Sequence, residues 1–247
     1  MKRKDFLHLT GICSLGLFTI PHIALGAVQD RFTQAQLIGK GNPEITGNSY
    51  RQKMHKQTKA AFLEMKSAAA KDNISIEVVS AYRSFERQKE IFEGKYKRFT
   101  GQGLSPKQTL SKIIEYSTIP GTSRHHWGTD IDIIQANTGA RPSSVLQEKH
   151  FYGNGPFCDM KVWLTKNASS FGFYEVYTKD ANRKGFSHEP WHFSYKPVSK
   201  PMLTAYKKLD IKSILQQEKI MGSEHFSDGF IAKYVQEHIL DINPELL

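Results

Sequence analysis

The chain has 247 residues, 39% of them hydrophobic and 23% charged. That length and balance describe one ordinary domain with extensions, able to bury a core, and exclude wholesale disorder. The formal net charge of +10 would suit an anionic partner, but Lys and Arg are scattered along the chain. No nucleic-acid module is recognisable, so nucleic acid is not expected as a partner.

The beginning of the chain reads as a targeting segment. Lys2, Arg3 and Lys4 precede an apolar stretch from Leu9 to Leu25, and Ala24 and Gly26 are small residues placed for cleavage before Ala27. A signal peptide over 1–26 is therefore expected, with export to the periplasm or cell envelope. Arg3-Lys4-Asp5-Phe6-Leu7 resembles a twin-arginine signal with lysine at the second arginine. Pro21 and His22 interrupt the apolar stretch, which favours cleavage over a retained anchor. No later segment reaches 18 apolar residues, so no stable membrane span is expected after cleavage. Of the two cysteines, Cys13 leaves with the signal and Cys158 stands alone, as a structural thiol.

Residues 28–50 are polar, with Gly and Pro, and read as a loose lead-in. From Gln52 to Lys71 the spacing of Met54, Ala61, Met65 and Ala68 predicts an amphipathic helix, broken at Asn73. Ile74, Ile76 and Val78 alternate with polar residues and predict a strand running into Ser80-Ala81-Tyr82-Arg83-Ser84. Ser84 can cap a helix through Phe92. Ser105-Pro106-Lys107-Gln108 carries a cap, an N1 proline and a capping-box Gln, with Leu110, Ile113 and Ile114 as the buried face. A loop over 117–124 leads to a predicted strand, Gly128 to Ile134. A helix over 159–168, a strand over 171–177 and an aromatic strand over 190–195 follow. From Pro201 the chain is predicted helical again, including 230–240. Helices and short strands without regular βαβ alternation indicate an α+β fold with a small, largely antiparallel sheet.

Two segments concentrate chemistry: Ser123-Arg124-His125-His126-Trp127-Gly128-Thr129-Asp130-Ile131-Asp132 and Ser187-His188-Glu189-Pro190-Trp191-His192. Together they hold four of the ten histidines and three carboxylates. A catalytic zinc takes three such ligands and keeps one position open, and a nearby glutamate can take a proton from water. The second segment also spells HExxH, which in zincins needs two His one helical turn apart. Pro190 inside that turn would cost ~3 kcal/mol in a helix, and Phe186, Trp191, Phe193 and Tyr195 are β-formers. The HExxH is read as accidental, which leaves His188 outside the metal.

Ser123, His125, Gly128 and Asp132 spell SxHxxGxxxD, and Glu189, Trp191 and His192 spell ExWH. With Ser80-Ala81-Tyr82-Arg83-Ser84 and Gln88, these residues resemble the VanY-type D-alanyl-D-alanine carboxypeptidases, zinc peptidases of the LAS group. The resemblance implies the LAS/hedgehog-like fold and one Zn2+ per chain on His125, Asp132 and His192. It implies Glu189 as base and proton donor, and Arg83 against the developing charge. Gln88 and Ser123 would hold substrate near its terminal carboxylate. Asp130, where that family often has a small residue, would share a strand face with Asp132, but only Asp132 matches the family's carboxylate, so loss of Asp130 is expected to be milder than loss of Asp132. The implied substrate is a peptidoglycan stem peptide ending in D-Ala. The resemblance covers about Val78 to Tyr195, and the layout expected of the chain is a catalytic domain over 27–200 with a helical extension over 201–247. Two other functions fit the same motifs: a zinc endopeptidase cutting cross-links, and a non-catalytic zinc or peptidoglycan-binding module. Retention of Glu189 argues against the module, which has no use for a base beside its metal.

Overall fold

The computed structural model describes residues 31–139 and 141–247; the signal peptide expected over 1–26 lies outside them. Residues Phe32 to Leu247 form one compact unit. Its first elements are α1 (Gln34–Leu37) and a ladder of two two-residue strands, β1 (Ile45–Thr46) and β2 (Met54–His55). Thr33 and Gln36 build a complete capping box on α1. The loose lead-in read from the sequence is therefore folded: Leu37 and Ile38 are each 2% exposed and join the core. The Trp127 indole N–H donates to the Leu37 carbonyl at 3.0 Å, so this segment props the metal-site loop described below.

The helix expected from Gln52 begins at Lys56, because Met54 and His55 are already paired in β2. This helix, α2 (Lys56–Lys71), buries Thr58, Phe62, Met65 and Ala69, the spacing of one helical face. It stops as expected near Asn73, which adopts φ 59°. Next comes β3 (Ile76–Ser80), whose pairing slips between Val78 and Ser80. Such a bulge re-aims the side chains beyond it, and Ser80 is the residue that meets Arg83. Ser84 caps α3 (Phe85–Gly101) by accepting from the Arg87 amide; this helix runs well beyond Phe92. Both bonds of the Ser105/Gln108 capping box are present at the start of α4 (Pro106–Ile114).

The main sheet has four antiparallel strands. Besides β3 they are β4 (Asp130–Gln135), β5 (Phe173–Glu175) and β6 (His192–Tyr195), in the order β3-β4-β6-β5. Every residue of β4 is buried. Ile131, Ile133 and Phe193 pack with α2 and with α5 (Cys158–Asn167) in one core. The other core gathers α3, α4 and the C-terminal helices α6 (Lys196–Tyr206), α7 (Ile211–Gln217) and α8 (Asp228–Tyr234).

Helix α6 begins before the position the sequence suggested. It starts at Lys196, directly after β6, with Pro197 in its first turn and Pro201 inside it. A first-turn proline gives up only an N–H that has no helical partner. The boundary expected at Pro201 thus falls within a helix. Ile214, Leu215 and Tyr234, beyond that boundary, share a core with Phe85 and Trp127. No helix among the described residues is long and apolar enough to cross a membrane.

Candidate metal centre and catalytic cleft

Three side chains from three segments converge. His125 sits on a single 3-10 turn, Arg124–Trp127, which ends at Gly128 with φ 69°. A Cβ at Gly128 would strike the Ile45 side chain and come within 2.7 Å of the His55 amide nitrogen, so glycine is required there by space and by conformation. Asp132 lies on β4 directly opposite His192 on β6. Cross-strand partners share a face of the sheet, and the 3-10 turn brings His125 over it. Ligand atoms of His125, Asp132 and His192 all lie within 4.8 Å of one another. His125 Nε2 is 3.5 Å from Asp132 Oδ2, and His192 Nδ1 is 3.9 Å from Asp132 Oδ1. Tetrahedral zinc ligands on bonds near 2.1 Å stand about 3.4 Å apart, close to the His125–Asp132 separation of 3.5 Å.

The remaining nitrogen of each ring is engaged. His125 Nδ1 is 2.8 Å from the Ala81 carbonyl, to which it donates, leaving the Nε2 lone pair for a metal. His192 donates from Nε2 to Asp130 Oδ2 at 3.0 Å, leaving Nδ1 on the metal side. An orienting acceptor on the second ring nitrogen is how metal-bound imidazoles are held. Asp130 is fully buried and takes three further bonds: from Arg124 Nε at 2.8 Å, Thr129 Oγ1 at 2.8 Å and Ser194 Oγ at 2.6 Å. The Arg124 guanidinium also donates from Nη2 to Ser194 at 2.8 Å.

Burial holds the imidazole of His125 down to about 4, so it is a neutral ligand. Burial acts the same way on His192 but is outweighed by the hydrogen bonds to Asp130 and Glu189 and by the nearby Asp132 charge, which raise it to about 10. The site therefore favours a cation at His192 Nδ1, a proton or a metal ion. For Asp130, desolvation works against ionisation, yet the Arg124 charge and the His192 bond win and hold the carboxyl far below its usual range. Two imidazole nitrogens and a carboxylate, gathered at one point, fit zinc chemically once His192 gives up its Nδ1 proton.

Glu189 opens a turn closed by the bond from the His192 amide to the Glu189 carbonyl at 3.0 Å. Its Oε2 lies 2.9 Å from His192 Nδ1, beside the place a metal would take. Arg83 stands near His125. Its Nη1 donates to Gln88 Oε1 at 2.8 Å and its Nη2 to Ser80 Oγ at 3.1 Å, while Nε is buried with no partner. Gln88 is itself completely buried, with its amide N–H donating to the Thr118 carbonyl at 2.7 Å. It therefore holds Arg83 and does not face the cavity, where the resemblance had placed it against substrate. Ser123 does line the cavity. His126 accepts from the Gly121 amide at Nε2 and donates from Nδ1 to the Arg83 carbonyl at 2.6 Å, which clamps the Arg83 turn to the loop before Ser123.

These groups open on one cavity of about 580 Å³, walled further by Tyr116, Leu146, Phe186 and Trp191. His188 is turned to its rim and away from the three ligands. Its Nε2 is 2.9 Å from Glu175 Oε1 and its Nδ1 is 3.3 Å from Glu148 Oε1. Tyr177 also lines the cavity, with its ring edge on His192 at 5.1 Å between centroids. Burial, with Glu189 nearby, pushes its phenol well above the usual value. Sequence reasoning missed Tyr177, Ser194 and the part played by Asp130. For two of them a signal existed: Asp130 precedes Asp132 by two residues and Ser194 follows His192 by two, the period that puts strand residues on one face.

Residues 51–198, more than half of the chain, match the family described as VanY, D-alanyl-D-alanine carboxypeptidase. The chain belongs to that family. It is similar to the D-alanyl-D-alanine carboxypeptidase of Enterococcus faecalis, 29% identical over 153 residues, covering 62% of this chain and 52% of that protein. The putative carboxypeptidase YodJ of Bacillus subtilis is 29% identical over 143 residues, covering 58% of this chain and 46% of that one. The matched part is thus about half the length of these two VanY-family relatives. Among solved structures, VanYB in complex with D-alanine-D-alanine aligns with a TM-score of 0.51 and 24% identity, over 73% of this chain and 92% of that one. This agreement supports the α+β fold of the LAS group expected from the motifs.

Proposed function

We propose that this VanY-family chain is an exported zinc carboxypeptidase that removes the terminal D-amino acid, D-alanine, from peptidoglycan stem peptides. The observation that carries the reading is Glu189 Oε2 at 2.9 Å from His192 Nδ1, within the cavity onto which His125, Asp132 and Arg83 also open. His125, Asp132 and His192 would hold the ion. Zinc in that place supplies Lewis acidity, which lowers the pKa of water towards ~7 and polarises the scissile carbonyl.

The chain's own residues do the rest. Glu189 takes the proton of the attacking water and hands it to the leaving amine. Arg83 has an unpartnered Nε, and its other nitrogens are fixed by Gln88 and Ser80. It is thus preorganised to donate to the carbonyl oxygen as negative charge develops there. Gln88 acts through Arg83, and the Ser123 hydroxyl contacts the substrate. A base beside the ligands is what a binding module does not need, and this favours an enzyme.

The test is hydrolysis of a peptide ending in D-alanyl-D-alanine by the full chain, with zinc and after chelation. Loss of turnover on chelation and its return with zinc are expected. A peptide whose C-terminal carboxylate is amidated should be a poor substrate. Equal cleavage of acid and amide would replace the carboxypeptidase by an endopeptidase, and no cleavage of either would leave a binding module.

A further inference from the structure

Residues 176–191, between β5 and β6, form neither helix nor strand, yet they carry Tyr177 and Phe186 on the cavity wall and the base, Glu189. Such a segment holds a base at working distance only if its backbone is fixed from outside. The groups that fix it belong to the C-terminal segment. Asp241 Oδ2 accepts from the Lys184 amide at 2.5 Å and from the Gly185 amide at 3.1 Å. Arg183 Nε donates to the Asp241 carbonyl at 3.0 Å, and its Nη1 and Nη2 donate to the carbonyls of Thr178 and Phe186, each at 3.0 Å. One guanidinium therefore ties the two limbs of the loop to each other and to Asp241. Gly185 lies directly on the same segment: a Cβ there would stand 1.7 Å from the Glu237 carbonyl oxygen.

The other limb is held by the same stretch of chain. Asn243 donates from its amide to the Val176 carbonyl and from Nδ2 to the Glu175 carbonyl, each at 2.9 Å. The His238 ring meets Phe186 at 4.9 Å between centroids. Both limbs converge on the base, because the Glu189 amide donates to the Tyr177 carbonyl at 3.1 Å. The metal ligands are anchored independently, Asp132 and His192 by the pairing of β4 with β6 and His125 by its 3-10 turn. Disturbing Asp241 therefore shifts the base and spares the ligands. Asp241 also lies beyond residue 198, where the family match ends.

We propose that Asp241 is a positioning residue for Glu189: by holding Arg183, Lys184 and Gly185 it sets where the loop delivers the base, which makes the C-terminal segment a working part of the catalytic site. The proposal rests on the peptidase reading, in which Glu189 moves the proton.

The experiment uses the full chain, zinc-loaded, with a peptide ending in D-alanyl-D-alanine. A misplacement of about 1 Å from a residue remote from the chemistry can cost ~10²-fold. Asp241→Ala should accordingly lower kcat ~10- to 100-fold, with KM changed by less than ~3-fold and zinc still near one per chain. Asp241→Asn, which keeps an oxygen for the two amides, should recover most of that loss. Gly185→Ala, which pushes the loop off the Glu237 carbonyl without removing a polar group, should lower kcat as Asp241→Ala does. In a Glu189→Gln background, Asp241→Ala should cost less than ~2-fold more, because a residue acting only through the base has nothing left to position. An undiminished kcat in Asp241→Ala, a full further loss in the Glu189→Gln background, or an Asp241→Asn no better than Asp241→Ala would overturn the proposal. So would loss of zinc or of the folded state in Asp241→Ala, either of which would make the residue structural. If the wild type hydrolyses the peptide and Asp241→Ala does so equally well, only this assignment falls. If the wild type does not hydrolyse it, the peptidase reading falls as well.

Discussion

Asp130 offers the sharpest test of how the site is built. Asp130→Ala removes the acceptor of four bonds, from His192, Arg124, Thr129 and Ser194, in a place with no access to solvent. Arg124, 3% exposed, then keeps a buried positive charge with no carboxylate to balance it. Removing one partner of a buried ion pair costs ~3–5 kcal/mol, a large part of a typical folding stability of ~5–15 kcal/mol. The same change frees the His192 ring, and losing an orienting acceptor typically costs ~10- to 100-fold in metal affinity. Urea unfolding of the metal-free protein reads the first effect, and competition against a chelating dye reads the second. This reverses the milder outcome expected from sequence: Asp132→Ala should strip the metal yet leave the fold, while Asp130→Ala should injure both. Removing both charges, with Arg124→Met and Asp130→Leu, should restore much of the stability but not the zinc affinity. An Asp130→Ala protein within ~1 kcal/mol of wild type and with unchanged zinc affinity would refute the reasoning.

Other outcomes follow from the same geometry. Glu189→Gln should keep zinc and fold while turnover falls ~10²- to 10⁴-fold; full activity would remove Glu189 from the mechanism. His125→Ala should abolish stoichiometric zinc in metal analysis, whereas His188→Ala, whose ring faces Glu175 and Glu148, should leave zinc near one per chain. Zinc uptake at pH 7 should release about one proton: His192, raised to about 10, must lose its proton to bind, and His125, lowered to about 4, has already lost it. Zinc affinity should accordingly strengthen as pH rises from 6 towards that value, by up to ~10-fold per unit. Calorimetry in buffers of different ionisation enthalpy reads this release, and none at pH 7 would contradict the assignment.

What the sequence disclosed was whatever local chemistry announces. Ser84 and the Ser105/Gln108 box are helix starts because their oxygens satisfy orphan amides, and both caps are present. The alternation through β3 is the pattern of a strand seen from one side. The two metal motifs were legible because Ser123, His125, Gly128 and Asp132, with Glu189, Trp191 and His192, resemble the motifs of a known family. Less legible was α1, four residues long and too short to show a period; its contribution is the Leu37 carbonyl under Trp127. The reach of α3 to Gly101 and the start of α6 at Lys196 are set by tertiary packing, which propensity does not report. Asp130 was set aside because motif matching gave the role to Asp132. Its partners, Arg124 and Ser194, are six and 64 residues away, and the latter pairing exists only once β4 and β6 are in register.

The HExxH string shows why spacing must be joined to backbone physics. Pro190 forbids the helix that would align His188 with His192, but proline is well suited to the second position of a tight turn, where its fixed φ is already correct. Glu189 to His192 form such a turn, closed by the amide of His192 on the carbonyl of Glu189. The turn brings the Glu189 carboxylate to the Nδ1 of His192 while β6 carries the imidazole to Asp132 on β4. His188, one residue before the turn, lies beyond this reversal and meets Glu175 at the rim. The residue that rules out the zincin geometry is thus the one that seats base and ligand together.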